Sequence, residues 1–289
     1  MSFLLYMSQF HPSDIADNWY GDGPGSEGHG PCKGCEHRDC NLSYKPFFGY
    51  WTGNDISSDV LLLGEAPGGN SDGGRSYKNA TDEDENRPPV EEGWFTRQNK
   101  RNLLDVAHPS DNGFSLPQSF VEDLLSNGVD SYYTNVKKCN DIHSDYGEET
   151  YESARDKCIS HLFDEIKEVN PSVVVVFSSG TQGISSSHNI EYCFEQFGLK
   201  SHIDGKDKLE IVLPDENNPE TLFPSYESSL GFEVIPVYHF TRASGHLGQR
   251  AKFEPEAIGR QTKSYPSQPK WKYRYYDQLS DRIMEFVPS

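Results

Sequence analysis

The sequence predicts an α/β fold: a three-layer α/β/α sandwich around a central, mainly parallel four-stranded sheet. Three observations carry that expectation. Four short runs have strand composition, namely Val60–Leu63, Ser131–Val136, Val173–Phe177 and Val234–Tyr238. The first, third and fourth are nearly all apolar, as strands covered on both faces are. Helical patterns separate the runs, so parallel strands can be joined by crossovers. Each run then breaks into glycine, polar residues or histidine, and in an open α/β sheet ligands bind at the carboxyl ends of the strands.

The length of 289 residues suits one domain over 1–289, with a glycine-rich amino-terminal arm at 1–31 and a basic extension at 250–289. Lys and Arg number 26 against 45 Asp and Glu, a formal charge of -19. So acidic a chain argues against nucleic acid as a partner. The argument lapses if the surface is halophilic, because acidity is then general; the apolar share of 34% fits that second reading. The charge is uneven, since residues 250–289 hold eight Lys/Arg and five Asp/Glu. A basic tail on an acidic body points weakly to a polyanion, and a solvated tail explains it equally well. There is no secretory signal and no apolar run of membrane-spanning length, so we expect a cytoplasmic chain with no membrane partner. Six cysteines in such a chain read as metal ligands or core thiols rather than disulfides.

In chain order, Gly21–Gly30 is a glycine-rich arm that delivers Cys32-Lys33-Gly34-Cys35, with Cys40 five positions on. A C-x2-C knuckle suits zinc, an iron–sulfur cluster or a redox pair. Val60–Leu63 runs into Gly64-Glu65-Ala66-Pro67-Gly68-Gly69, a forced tight loop whose plain alternative is an ordinary strand-to-helix turn. Asn70–Glu92 reads as a solvated loop. Asn99–Ala107 and Pro117–Ser126 have helical spacing, the second with Pro at its start and Asn127-Gly128 at its end. Ser131–Val136 leads to Lys137-Lys138-Cys139. Thr150–Val169 reads as an amphipathic helix with Thr150 as N-cap and Ala154, Ile159, Leu162, Ile166 and Val169 on one side. It carries Cys158 and stops at Asn170-Pro171. Thr181–Ser187 and Ile190–Phe197 suggest short helices, with Cys193 a packing residue. His202–Gly231 shows no assignable element. Val234–Tyr238 runs into His239, and Tyr276–Phe286 closes the chain as a helix behind the basic, aromatic run Lys270–Tyr275.

Taken together, these segments resemble the uracil-DNA glycosylase superfamily, closest to its iron–sulfur family 4. Gly64-Glu65-Ala66-Pro67-Gly68 is similar to the first motif. Tyr133-Thr134-Asn135-Val136-Lys137-Lys138-Cys139 is similar to the strand that carries a base-reading asparagine and a cluster cysteine. Cys158 with Leu162 matches the helix cysteine and the leucine after it, and His239 stands where the histidine of the second motif is expected. The resemblance covers roughly residues 30–250 and implies hydrolysis of the N-glycosidic bond of uracil in DNA, as in base excision repair. We expect a monomer, and a monofunctional enzyme because no lysine stands in a position that suggests Schiff-base chemistry.

The roles it implies are chemically coherent. A glycosylase takes its base out of the stack and reads it in a pocket. Asn135 would accept from uracil N3–H and donate to O4, and a wrong base would leave both amide groups unpaired at about 1–3 kcal/mol each. Phe95 would stack on the ring. Glu65 would lie near uracil C5. His239, neutral, would donate to uracil O2 as charge develops there. Backbone N–H groups around Ala66 and Gly68, with Gly64, would orient the uracil carbonyl or the attacking water. The acidic position after the first motif is Ser71, with Asp72 adjacent as the substitute. Cys32, Cys35, Cys139 and Cys158 would hold a structural [4Fe–4S] cluster; zinc is the alternative metal and Cys40 an alternative ligand. Arg242, Arg250 and Lys252, with the Lys270–Arg274 patch, would meet phosphates.

The chain departs from the family where His-Pro-Ser is replaced by His239-Phe240-Thr241 and where Ser71 replaces an acid. Those departures keep open an iron–sulfur nucleic-acid-binding protein of the same fold with lost or altered catalysis. A zinc-stapled α/β protein for a small phosphate ligand is a third reading.

Overall fold

The computed structural model describes residues 33, 49–54, 56–64, 103–106, 116, 118–138, 148–178, 188–199, 223, 225–238 and 270–288. They form a mixed α/β structure. Its strands are β1 (Tyr50–Trp51), β2 (Val60–Gly64), β3 (Ser131–Asn135), β4 (Val173–Ser178), β5 (Tyr226–Glu227) and β6 (Glu233–Tyr238). Its helices are α1 (Leu103–Val106), α2 (Gln118–Ser126), α3 (Glu148–Val169), α4 (His188–Gln196) and α5 (Lys270–Met284). The sheet order is β1-β3-β2-β4-β6-β5. The chain divides into two compact units: Met1–Gly49, Ala66–Arg101 and Thr134–Val169 in one, and Tyr50–Glu65, Asn102–Tyr133 and Asn170–Ser289 in the other.

The four expected strands are all present, but the sheet has six. The two additions are antiparallel ribbons of two residues each, β1 beside β3 and β5 beside β6. Two-residue strands are too short to show any periodicity in sequence, and short edge strands also blunt a sheet against pairing with another chain. The centre follows the expectation. β2 pairs with β4 in parallel from Val60↔Val173 to Leu63↔Val176, and β4 pairs with β6 in parallel from Val173↔Glu233 to Ser178↔Tyr238. Val60–Leu63 and Val173–Phe177 are wholly buried, the condition that lets a parallel strand be apolar at every position.

Pro236 sits inside β6, where a proline would normally remove a ladder bond. Glu233 donates its N–H to Ser172 O on the β4 side. Donors alternate along a strand, so the donor missing at Pro236 is on the β5 side. There β5 pairs only with Glu233 and Val234, and nothing is lost. The β5–β6 hairpin closes through Ser228, whose N–H bonds Phe232 O at 2.9 Å and whose hydroxyl accepts from Phe232 N at 3.1 Å. This hairpin lies at the end of the stretch 202–231 that shows no element in sequence.

Helix ends follow local chemistry. α2 stops at Gly128, φ 78, with Val129 N–H reaching back to Leu124 O at 3.0 Å, the left-handed glycine cap. Gly198, φ 76, follows α4 and lies so close to Ser229 that a Cβ would collide with its hydroxyl. α3 stops at Asn170, φ 52, before Pro171. It begins at Glu148, so Thr150 is inside the helix and is not its N-cap. Of the predicted Asn99–Ala107 helix, the described residues Leu103–Val106 are helical as α1, and the rest lies outside the described residues.

α5 starts six residues before the predicted Tyr276, because the Lys270–Tyr275 run is itself helical. Its buried Tyr276, Leu279 and Ile283 form one stripe, and the Tyr276 ring meets Phe120 of α2 at 5.2 Å between centroids. Near its end Arg282 donates to Phe223 O at 3.2 Å and to Ser225 Oγ at 3.0 Å. One of the cations of the basic tail is therefore a structural anchor rather than a free charge. No helix among the described residues is long and apolar enough to cross a membrane.

Candidate functional site

In the unit that holds the sheet centre, three strand ends share one edge. Ser178 and Tyr238 are register partners at the ends of β4 and β6, and Leu63, paired with Val176, places Gly64 next to that same level at the end of β2. These strands are parallel neighbours, so the span from β2 to β6 is two strand spacings, about 10 Å. Gly64 is buried. Glu65 and His239 are the residues that directly follow Gly64 and Tyr238 in the chain.

In the other unit, the end of β3 meets α3 through polar groups. Asn135 is the last residue of β3 and is 2% exposed. Thr134, just before it, donates its hydroxyl to Glu165 Oε1 at 3.0 Å. The Lys138 ammonium donates to Thr134 Oγ1 at 2.7 Å and forms an ion pair with the Glu165 carboxylate. The Lys138 backbone N–H points at Cys158 Sγ, 3.5 Å away. Lys138, Glu165 and Thr134 are each no more than 1% exposed.

The buried face of α3 is Arg155, Cys158, His161, Leu162, Glu165, Ile166 and Val169. It differs from the expected apolar stripe. Leu162, Ile166 and Val169 are buried as expected, but Ile159 is only half-buried while His161 and Glu165 are inside. Helical spacing is the same for both sets. For Glu165 the buried partners Thr134 and Lys138 supply the reason for turning inward, and no single-helix pattern contains them.

Burial sets the electrostatics here. It pulls the Lys138 ammonium below its ordinary pKa, while the Glu165 carboxylate and the Cys158 sulfur act the other way. His161 is lowered to about 2, first by burial and then by the Lys138 charge, so it is a neutral imidazole in the folded protein. The Lys138 ammonium is engaged with Glu165 and Thr134.

Of the candidate site residues, Gly64, Asn135 and Cys158 are among the described residues. Glu65, Ala66, Gly68, Asp72, Phe95, His239, Arg242, Arg250, Lys252, Cys32, Cys35 and Cys139 lie outside them, as do the Asn70–Glu92 loop and the Thr181–Ser187 segment. Cys193 is fully buried in α4, a packing residue as its pattern suggested. The Lys138–Glu165 pair was missed in sequence. Its one signal was an acid at position 165 on a face that also carries Leu162, Ile166 and Val169. Among the described residues no group of three or more His, Cys, Asp or Glu is placed to hold a metal ion. In comparison with known proteins, no family model and no curated sequence matches this chain.

Proposed function

We propose that this chain is a uracil-DNA glycosylase of the iron–sulfur type, a single cytoplasmic, monomeric domain with the three-layer α/β/α arrangement of that superfamily. The observation that carries the reading is the shared strand edge. Gly64, Ser178 and Tyr238 end three parallel neighbours at one level, and the motif residues Glu65 and His239 follow the first and last of them.

The reaction is hydrolysis. Water adds to C1′ of the deoxyribose and gives up a proton to solvent, the C1′–N1 bond breaks, and the electron pair leaves with uracil as an anion. His239 stabilises that anion by donating to O2, a contact worth most in a dry site where charge develops. Asn135 reads N3–H and O4 together. Its burial matches this role, since a buried carboxamide left unpaired by a wrong base costs about 1–3 kcal/mol per group. Phe95 stacks on the ring, Glu65 faces C5, and the N–H groups near Ala66 and Gly68, with Asp72, position carbonyl and water. Arg242, Arg250 and Lys252 meet the phosphates.

Cys32, Cys35, Cys139 and Cys158 hold the cluster, whose contribution is a structural staple, since this hydrolysis moves no electron. The Cys158 environment supports a metal-bound sulfur. The sulfur is buried, it accepts an N–H at 3.5 Å, and that N–H belongs to the residue before Cys139.

Incubation with a uracil-containing oligonucleotide is expected to give alkali-labile sites at uracil, and His239→Ala is expected to abolish them while binding persists. Intact binding with no labile sites for the natural sequence would favour the second reading, a nucleic-acid-binding protein of this fold without catalysis. His239-Phe240-Thr241 and Ser71 are the residues that favour that second reading.

A further inference from the structure

We propose that Lys138 is a positioning residue for the metal centre: held by Thr134 and Glu165, it sets its backbone N–H against the Cys158 sulfur, and so keeps that sulfur placed to bind the metal. The proposal rests on reading Cys158 as a metal ligand.

The geometry starts from helix spacing. Cys158 and Glu165 are seven residues apart on the buried face of α3, nearly two turns, or about 10 Å along the axis. Lys138 touches both. Its N–H reaches Cys158 Sγ and its ammonium reaches Glu165. Only a long side chain lets one residue bridge two turns, and only a cation closes the far end on a carboxylate. Thr134 completes the circuit, accepting from Lys138 and donating to Glu165. The strand end is thereby pinned on both sides of Asn135, at residue 134 and at residue 138.

Energetics say that the circuit is not there for stability. A buried ion pair is commonly no better than apolar residues of equal volume, because desolvation cancels the attraction. The Thr134–Lys138–Glu165 set is buried, in a unit that also buries Val136, Leu162, Ile166 and Val169, a setting that an apolar trio would suit. What the ion pair adds is a fixed place for the Lys138 backbone, whose N–H meets the Cys158 sulfur. Metal ligation needs the thiolate, and N–H bonds and net charge at the sulfurs tune such centres.

The decisive variant removes the circuit but keeps its volume: Thr134→Val, Lys138→Met and Glu165→Leu together. Full-length protein is reconstituted anaerobically with iron and sulfide, and loss of iron to a chelator is followed by absorbance. The triple variant is expected to melt near the natural protein and to lose iron roughly 10–100-fold faster. Lys138→Arg, which keeps a cation on Glu165, is expected to restore most of the retention. Equal retention by the folded triple variant overturns the proposal while leaving the cluster itself intact. Failure of the natural protein to take up iron and sulfide overturns the metal reading and this proposal together.

A measurement on the natural sequence decides the matter if the triple variant does not fold. In protein loaded with the spin-half cadmium isotope, the Lys138 amide proton should show scalar coupling to the metal through Cys158 Sγ. Cadmium bound without that coupling overturns the proposal.

Discussion

The middle of the sheet and the buried face of α3 exclude water equally well, yet they are made of opposite materials. β4 from Val173 to Phe177 is fully buried and apolar at every position, and its neighbours β2 and β6 present valine, leucine and isoleucine. The α3 face buries a glutamate, a histidine and an arginine beside three aliphatic residues, and its glutamate meets the buried Lys138. Beyond the backbone ladder, the side chains of the sheet centre are held by burial, which is non-directional and tolerant of volume-conserving exchange. The α3 face is held by partners, and a partner removed leaves a stranded charge. That asymmetry marks the first region as scaffold and the second as a place where specific groups are retained for what they hold.

The sharpest way to break the comparison is to remove half of the ion pair. Lys138→Met or Glu165→Leu alone is expected to cost about 3–5 kcal/mol, because the remaining charge is buried and uncompensated. With Thr134→Val added, replacement of both partners should return stability to near the natural value. Urea unfolding of the three proteins measures this, and additive losses would remove the contrast. Leu62→Ala in β2 is expected to cost about 2–5 kcal/mol through transfer and cavity terms, with no second substitution able to cancel it by charge neutralisation. The same unfolding curves test both.

A smaller effect belongs to pH. His161 titrates at about 2 in the folded protein against about 6.5 when unfolded. Between those values the unfolded chain binds a proton that the folded chain does not, so stability is full above about 6.5 and falls as pH falls. The slope from this one group is about 1.4 kcal/mol per pH unit. His161→Gln should flatten the dependence between neutral pH and pH about 5 relative to the natural sequence, read as the difference between the two unfolding series. The smallest effect is expected at the Arg282–Glu285 pair, whose carboxylate is 57% exposed. Glu285→Gln should change stability by no more than about 1 kcal/mol, leaving the Arg282 contacts to Phe223 and Ser225 in place.

The same contrast explains what the sequence revealed. Val60–Leu63 and Val173–Phe177 were legible because a strand buried on both faces must be apolar throughout, and nothing else in the chain looks like them. Pro117 and Asn127-Gly128 marked α2 because caps are local chemistry. β1 and β5 were not legible, since two residues carry no period and their existence depends on a partner strand. The α3 face was half legible. Leu162, Ile166 and Val169 follow helical spacing, while Glu165 turns inward because Lys138 and Thr134, 27 and 31 residues earlier, bond the acid there. For the candidate site, the strand ends at Gly64 and Asn135 were found from the break in each run. The role of Lys138 was hidden, because a lysine in sequence reads as surface and only tertiary contact shows it inside.

The most direct test of the account is base release itself. The metal-loaded natural protein is mixed with oligonucleotides that differ only in carrying uracil, cytosine or thymine at one position, and the freed base is measured by chromatography. The account expects uracil alone to be released, leaving the strand unbroken until alkali is added, with release lost in His239→Ala and selectivity lost in Asn135→Ala. Folded, metal-loaded protein that frees no uracil, or frees cytosine as readily, contradicts it.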